Sequence, residues 1–402
     1  MKREVKTGNQ QFLCHSGVRW IRFNRLGVSP RLAAEKGFLM TWSNGLPESR
    51  LHDIIRKAWN DQASDVHLRQ DDAVILRLDG VLTPLREVVT PYEEMRGFID
   101  PILREDQKRS FGETHELDFS CEVPSLCRLR INLFIQRQRL CVAIRLLPER
   151  IPDMAELYLP KACPYFCSLK KGLVLVTGPT GCGKSTTLAA MLNHINATRS
   201  CHIITIEDPI EFIYRNDKAM VSQREVGHDT RSFGAALRHS FRQDPDVVLL
   251  GEMRDLETMQ TAITLAETGH LTFSTLHTGE AAQTVSRVVD SFPPHQQEMV
   301  RMQLAGSLAG IVSQQLLPLK GQKGRVAARE VLVVTRGVAN LIRENKLEQI
   351  TTAIQTGSSD MMFTMNHSLG HLYQNGFIDY EVALQAAFDR KDFRTKYGGE
   401  ES

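Results

Sequence analysis

The spacing of apolar and polar positions divides this chain into stretches with different rhythms. Leu51, Ile54, Ile55 and Trp59 recur at three- and four-residue intervals and predict one buried face of a helix. Ser64-Asp65-Val66-His67-Leu68 then opens an extended segment. Val74 to Leu82 reads as two strands joined by an Asp79-Gly80 turn. A helical stretch follows through Met95 and Ile102, and further strands are expected at Leu117–Phe119, Cys127–Phe134 and Leu140–Leu147. These elements predict an α+β domain that ends near the punctuation of Pro148 and Pro152. Beyond a connector the rhythm changes. Strands expected at Leu173–Thr177, His202–Glu207, Val247–Gly251 and Leu271–Leu276 alternate with helical segments, the pattern of a parallel, doubly wound α/β sheet. After Pro318 the pattern is mostly helical, with amphipathic pieces at Gly337–Glu344 and Tyr380–Phe388. The expected divisions are an extension at 1–45, a first domain at 46–150, a connector at 151–171, a core at 172–317 and a helical region at 318–402.

One inter-element loop carries chemistry. Gly178-Pro179-Thr180-Gly181-Cys182-Gly183-Lys184-Ser185-Thr186 fits G-x-x-x-x-G-K-[ST] without a gap. It lies between the apolar run Gly172–Thr177 and the helix-forming Thr187–Leu192. Glycines let backbone N–H groups turn inward, and the helix N-terminus adds partial positive charge. Lys184 reaches β- and γ-phosphates, and Ser185 offers its hydroxyl to Mg²⁺. The loop therefore predicts a nucleoside triphosphate site.

Two other strands end in acids. Asp246–Glu252 is an apolar strand closing on Glu252, expected to lie beside the loop strand with its carboxylate toward Mg²⁺ and the γ-phosphate. His202–Pro209 closes on Glu207 and Asp208, either of which can polarise an attacking water. For Asp208 a turn-forming or capping role is the competing expectation. The segment Glu267–Thr278 flanks a strand with His270 and His277. An imidazole at the strand's end can bond a γ-phosphate and report its presence, which favours His277.

Composition narrows the class of substrate. With 49 basic and 47 acidic residues the formal charge is +2, and no aromatic–basic interleaving appears, so nucleic acid is not the expected partner. No apolar run reaches the length of a membrane span. The eight cysteines show no metal-ligand spacing and read as reduced thiols of a cytoplasmic protein. The first forty-five residues are basic and weakly patterned, which fits an arm for an anionic membrane, a targeting peptide or a poorly ordered extension. Met40 offers an alternative start.

From about Glu48 to Phe393 the chain resembles the PilT-type retraction ATPases of type IV pili, within the secretion-ATPase superfamily. Ile203–Phe212 (IITIEDPIEF) is similar to the family's aspartate box, and Asp244–Asp255 (DPDVVLLGEMRD) to its Walker B region. Ala266–Thr278 (AETGHLTFSTLHT) resembles the histidine box, and Ala339–Glu344 (ANLIRE) the carboxy-terminal retraction signature. Ser64–Leu68 and Cys127–Asn132 match the amino-terminal PAS-like domain. The resemblance implies a RecA-like P-loop core with an amino-terminal α+β PAS-like domain and a carboxy-terminal helical region. It also implies Lys184 on phosphate, Ser185 and Glu252 on Mg²⁺, Glu207 as catalytic carboxylate and His277 as γ-phosphate sensor. Arg130 and Arg145, with Arg139 less favoured, fit the places of family arginines that close over nucleotide. Arg343 and Glu344 would couple the ring to retraction.

At the level of the whole molecule, the resemblance implies a cytoplasmic, Mg²⁺-dependent ATPase working as a homohexameric ring at the inner face of the membrane. Its expected partners are copies of itself, the inner-membrane pilus platform protein and a paralogous retraction ATPase. Two departures matter. Extension and type II secretion ATPases carry a four-cysteine metal motif after the histidine box, whereas no cysteine follows Cys201 here. Cys182 also places an oxidisable thiol in the phosphate loop, where oxidation would inhibit. The competing readings are an ATPase of another secretion system, an accessory paralogue, a nucleic-acid translocase and a non-hydrolysing regulatory subunit.

Overall fold

The computed structural model describes residues 50–398 except 79, 124, 125, 148, 149 and 323. The basic segment expected at 1–45 and the alternative start at Met40 lie outside the described residues. The chain first builds six strands: β1 (Asp65–Arg69), β2 (Ala73–Leu78), β3 (Val81–Val89), β4 (Glu116–Val123), β5 (Cys127–Gln136) and β6 (Arg139–Leu147). They pair antiparallel in the order β3-β2-β1-β6-β5-β4. Strand β5 alternates buried and partly exposed residues from Leu129 to Phe134, as a sheet with one covered face requires. The cover is supplied by helices Arg50–Asn60, Tyr92–Ile99 and Glu105–Thr114. Leu51, Ile54 and Ile55 are buried as expected, and Trp59 packs at the margin. The helix Glu105–Thr114 has only Gln107 and Phe111 buried, too thin a stripe to stand out in the sequence.

A second sheet holds β7 (Gly172–Thr177), β8 (His202–Glu207), β9 (Met220–Glu225), β10 (Val247–Leu250), β11 (Leu271–Leu276), β12 (Leu308–Pro318) and β13 (Arg325–Val333). Their order is β13-β12-β7-β11-β10-β8-β9. All neighbours run parallel except β12 and β13. Every residue of β7, β10 and β11 is buried, because helices cover both faces. The expected doubly wound core is present, with one correction: β10 does not lie beside the loop strand, because β11 stands between them. After Pro318 the chain is mostly helical as expected, and β13 adds one strand to the core sheet.

Two buried charges bind β13 to its surroundings. The Arg329 guanidinium donates to the carbonyls of Leu157 and Tyr158, tying the connector to the sheet edge. Glu330 accepts from the backbone N–H of Ala281 at 2.9 Å and of Met365 at 3.3 Å. These are the first residues of helices Ala281–Asp290 and Met365–Gln374, where a carboxylate meets orphan donors and the positive end of the dipole. The helix Arg336–Arg343 starts on a Thr335 cap and buries Val338 and Ile342 against the core. A separate apolar cluster, with Met365, Leu369, Ile378 and Phe393, organises the final helices.

Candidate active site

In the parallel sheet the carboxyl ends of β7, β11, β10 and β8 come side by side, since Thr177 pairs with Leu276, Leu250 with Ser274, and Leu250 with Ile206. Such a row of strand ends is where open α/β sheets bind ligands. The loop 178–186 leaves the end of β7 and enters the helix Lys184–Thr198. Gly178 has φ +140°, and a Cβ there would lie 2.2 Å from the Gln314 carbonyl oxygen and 2.7 Å from Cys182 Sγ. Gly183 caps the helix in the left-handed region at φ +87°.

The loop is braced from β12. Gln314, 1% exposed, donates through Nε2 to the Cys182 carbonyl at 2.7 Å and accepts from Thr187 Oγ1 at 2.9 Å. Beside it Ser313 and Thr177 share a hydroxyl–hydroxyl bond of 2.8 Å. Sequence reasoning missed Ser313 and Gln314. Three consecutive polar residues, Ser313-Gln314-Gln315, inside an otherwise apolar run that follows a helical segment were the available signal.

Lys184 folds back over its own loop and donates to the carbonyls of Gly178 at 2.8 Å and Pro179 at 3.1 Å. Its ammonium stands 3.4 Å from His277 Nδ1, and His277 Nε2 stands 3.7 Å from the Glu252 carboxylate. Glu252 also pairs with Arg254. Lys184, His277 and Glu252 thus form a row across β7, β11 and the end of β10, although β11 separates the outer two. Burial lowers the Lys184 pKa, against the opposing pull of nearby acids.

Glu207 closes β8, next in the row, where the Gly251 N–H bonds the carbonyl of Ile206 at 2.8 Å. Its carboxyl is hemmed in by protein, and burial pushes its pKa up to about 7. Gln223 Nε2 lies 3.4 Å from one Glu207 oxygen, a contact that offsets only part of that cost. Asp208 is exposed and lines a cleft of about 330 Å³ with Arg130, Glu225 and His228. His270, at the opposite end of β11, bonds the carbonyl of Leu265 and packs edge-on against Phe241, a structural position.

Of the arginines, Arg130 lines the cleft beside Asp208. Arg130 and Arg145 are cross-strand partners on β5 and β6, and Arg145 ion-pairs with Asp65 at 2.9 Å. Arg139 is exposed beside the β5–β6 turn. Among the described residues, none of the three bonds to the loop 178–186. Cys182 is 2% exposed and burial raises its thiol pKa, which disfavours the thiolate form through which the expected oxidation would run. Cys163 and Cys167 are buried in one helix, with Cys163 pushed up to about 12. Among the described residues no group of three or more His, Cys, Asp or Glu is placed to hold a metal, and no helix is long and apolar enough to cross a membrane.

Residues 43–372 match the family model described as type II/IV secretion system protein. The chain is 46% identical over 325 residues to the type IV pilus retraction ATPase PilT of Pseudomonas aeruginosa, covering 81% of this chain and 94% of that one. It is 38% identical over 341 residues to the type IV pilus ATPase PilU of the same organism, covering 85% and 89%. Its fold superimposes on a crystal structure of the pilus retraction motor PilT with bound ADP at a TM-score of 0.79 and 45% identity, covering 86% and 99%. The chain belongs to the type II/IV secretion system protein family and, within it, to the PilT-type retraction ATPases.

Proposed function

We propose that this chain hydrolyses ATP to drive retraction of a type IV pilus. The observation that carries the reading is the row Lys184, His277, Glu252 and Glu207 along adjoining strand ends, beginning at a glycine loop. The loop N–H groups and Lys184 hold the polyphosphate. An incoming phosphate would replace the two carbonyls that Lys184 now bonds. Glu207 in its ionised form accepts the proton of the attacking water. His277 lies between the loop lysine and Glu252, a position that senses the terminal phosphate.

The donor set suits Mg²⁺: the exposed Ser185 hydroxyl on the first turn of the loop helix and the Glu252 carboxylate are hard oxygen ligands, few in number as this ion prefers when phosphates complete its shell. When bound, Mg²⁺ neutralises charge that develops on the phosphoryl oxygens. Arg130 and Arg145 supply guanidinium groups from the first sheet when it swings toward nucleotide held by the core. That motion divides the chain into a clamping domain at 46–150, a connector at 151–171, a nucleotide core from 172 and a carboxy-terminal helical region. The working assembly is a homohexamer at the inner face of the cytoplasmic membrane. It acts on the pilus platform protein, with a PilU-like paralogue as a further partner.

Purified protein is expected to release phosphate from ATP, and to stop when EDTA removes Mg²⁺. Lys184→Ala should weaken binding of a fluorescent ATP analogue by at least about tenfold, since one charge-assisted contact is lost. Analogue affinity equal to wild type in that variant would remove the loop from the site. Gln314→Leu should destabilise the fold by about 2 kcal/mol, because the Cys182 carbonyl and Thr187 hydroxyl lose their buried partner. Thermal unfolding measures the first effect, and analogue titration should show a matching loss of affinity.

A further inference from the structure

Ile210 follows Glu207 by three residues, and both of its backbone polar groups are held. Its N–H donates to Glu225 Oε2 at 3.1 Å. Its carbonyl accepts from Arg128 Nη1 at 2.6 Å. Glu225 closes β9, in register with Glu207 across the parallel pair, and the Val226 N–H bonds the Glu207 carbonyl at 2.9 Å. Arg128 belongs to β5 of the first sheet, two residues before Arg130. Its other terminal nitrogen reaches Glu225 at 3.4 Å and Ser120 Oγ at 3.3 Å. Arg128 and Glu225 are each less than a tenth exposed. A buried ion pair is weak evidence for stability, since desolvation offsets much of the attraction. Here the pair grips one backbone segment from two sides and joins the two sheets.

We propose that Arg128 is a positioning residue, which with Glu225 clamps the Ile210 backbone so that the posture of the first sheet sets the placement of Glu207. The planar guanidinium is suited to this because its two terminal nitrogens engage a carbonyl and a carboxylate at once, which an ammonium cannot reproduce in the same geometry. A swing of the first sheet pulls on the segment that follows Glu207. Closure of the first sheet and alignment of the carboxylate become one event. The proposal rests on Glu207 being the catalytic carboxylate.

The test uses full-length protein. Arg128→Met/Glu225→Gln removes both charges together and so leaves no unpaired buried ion. It should lower kcat about tenfold or more, because small misplacements of a reacting group are costly, while affinity for a non-hydrolysable ATP analogue stays within about twofold. Arg128→Lys, which keeps the charge and loses the fork, should recover part of the rate and serves alone should the double variant not fold. In single-turnover assays on a Glu207→Gln background, the added pair substitution should cause no further loss. Wild-type kcat in the double variant or in Arg128→Lys, a parallel loss of analogue affinity, or losses that multiply on the Glu207→Gln background would each overturn the positioning role. Unimpaired turnover by Glu207→Gln alone would instead defeat the assignment of the carboxylate, and the clamp with it.

Discussion

Glu207→Gln is expected to cut ATP turnover by a hundredfold or more while leaving nucleotide affinity nearly unchanged. General-base contributions are of the order of 10²–10⁴ in rate, and glutamine keeps the shape while losing the basic oxygen. The same substitution has an opposite effect on stability. Burial raises the Glu207 pKa from 4.5 to about 7, so in that interval the folded chain holds a proton that the unfolded chain has released. Stability therefore falls as pH rises from about 4.5 to 7, by on the order of 3 kcal/mol once the group is ionised. Glutamine escapes this cost. The variant should melt at a higher temperature than wild type at pH 8 and at the same temperature below pH 4.5. Wild-type kcat should in turn decline as pH drops through about 7, where the carboxylate takes up its proton. Phosphate release and melting curves across pH check both halves. Near-normal turnover in the variant would show that another group acts as base.

Arg343→Ala/Glu344→Ala is expected to abolish pilus retraction in cells while ATPase rate stays within about twofold of wild type. The helix Arg336–Arg343 is fixed by Val338 and Ile342 in the core and by the Thr335 cap, none of which the variant touches. Arg343 bonds Asn340 of its own helix, and Glu344 pairs with Lys346 at 2.7 Å on the surface. Such exposed contacts contribute little, so a stability change within about half a kcal/mol is expected. Motor output and chemistry thereby separate. Retraction can be scored by labelled pili in a strain whose only retraction ATPase is this chain. Normal retraction at normal protein level would falsify the coupling role.

Much of this architecture is legible in the sequence because its signals are local. A strand buried on both faces, such as Val247–Leu250, is apolar throughout, and a helix laid on one sheet face, such as Arg50–Asn60, must show its stripe. The phosphate loop is legible for a different reason: Gly178 meets a carbonyl that leaves no room for a Cβ. What escaped is what depends on distant partners. Strand β12 carries Ser313 and Gln314 because Thr177, Cys182 and Thr187 need them, and that polarity masks the strand pattern. Strand β9 sits at the sheet edge with mostly partial burial, so it lacks an apolar run. Strand order is not a local property either, so β11 was free to stand between β7 and β10. Arg128 reads as one more strand charge until Ile210 and Glu225 appear beside it.

Glu330 gives the core sheet a mechanical property. It lies opposite Ser313 in the β12–β13 ladder, Ser313 is bonded to Thr177 at the root of the phosphate loop, and Glu330 itself fastens the starts of two helices. Load arising at the loop root therefore meets a short series of buried hydrogen bonds before it reaches the helix Met365–Gln374, with no slack segment between. A linkage with little compliance passes on displacement rather than absorbing it. Glu330 is thus the joint at which the β12–β13 ladder meets the starts of both helices.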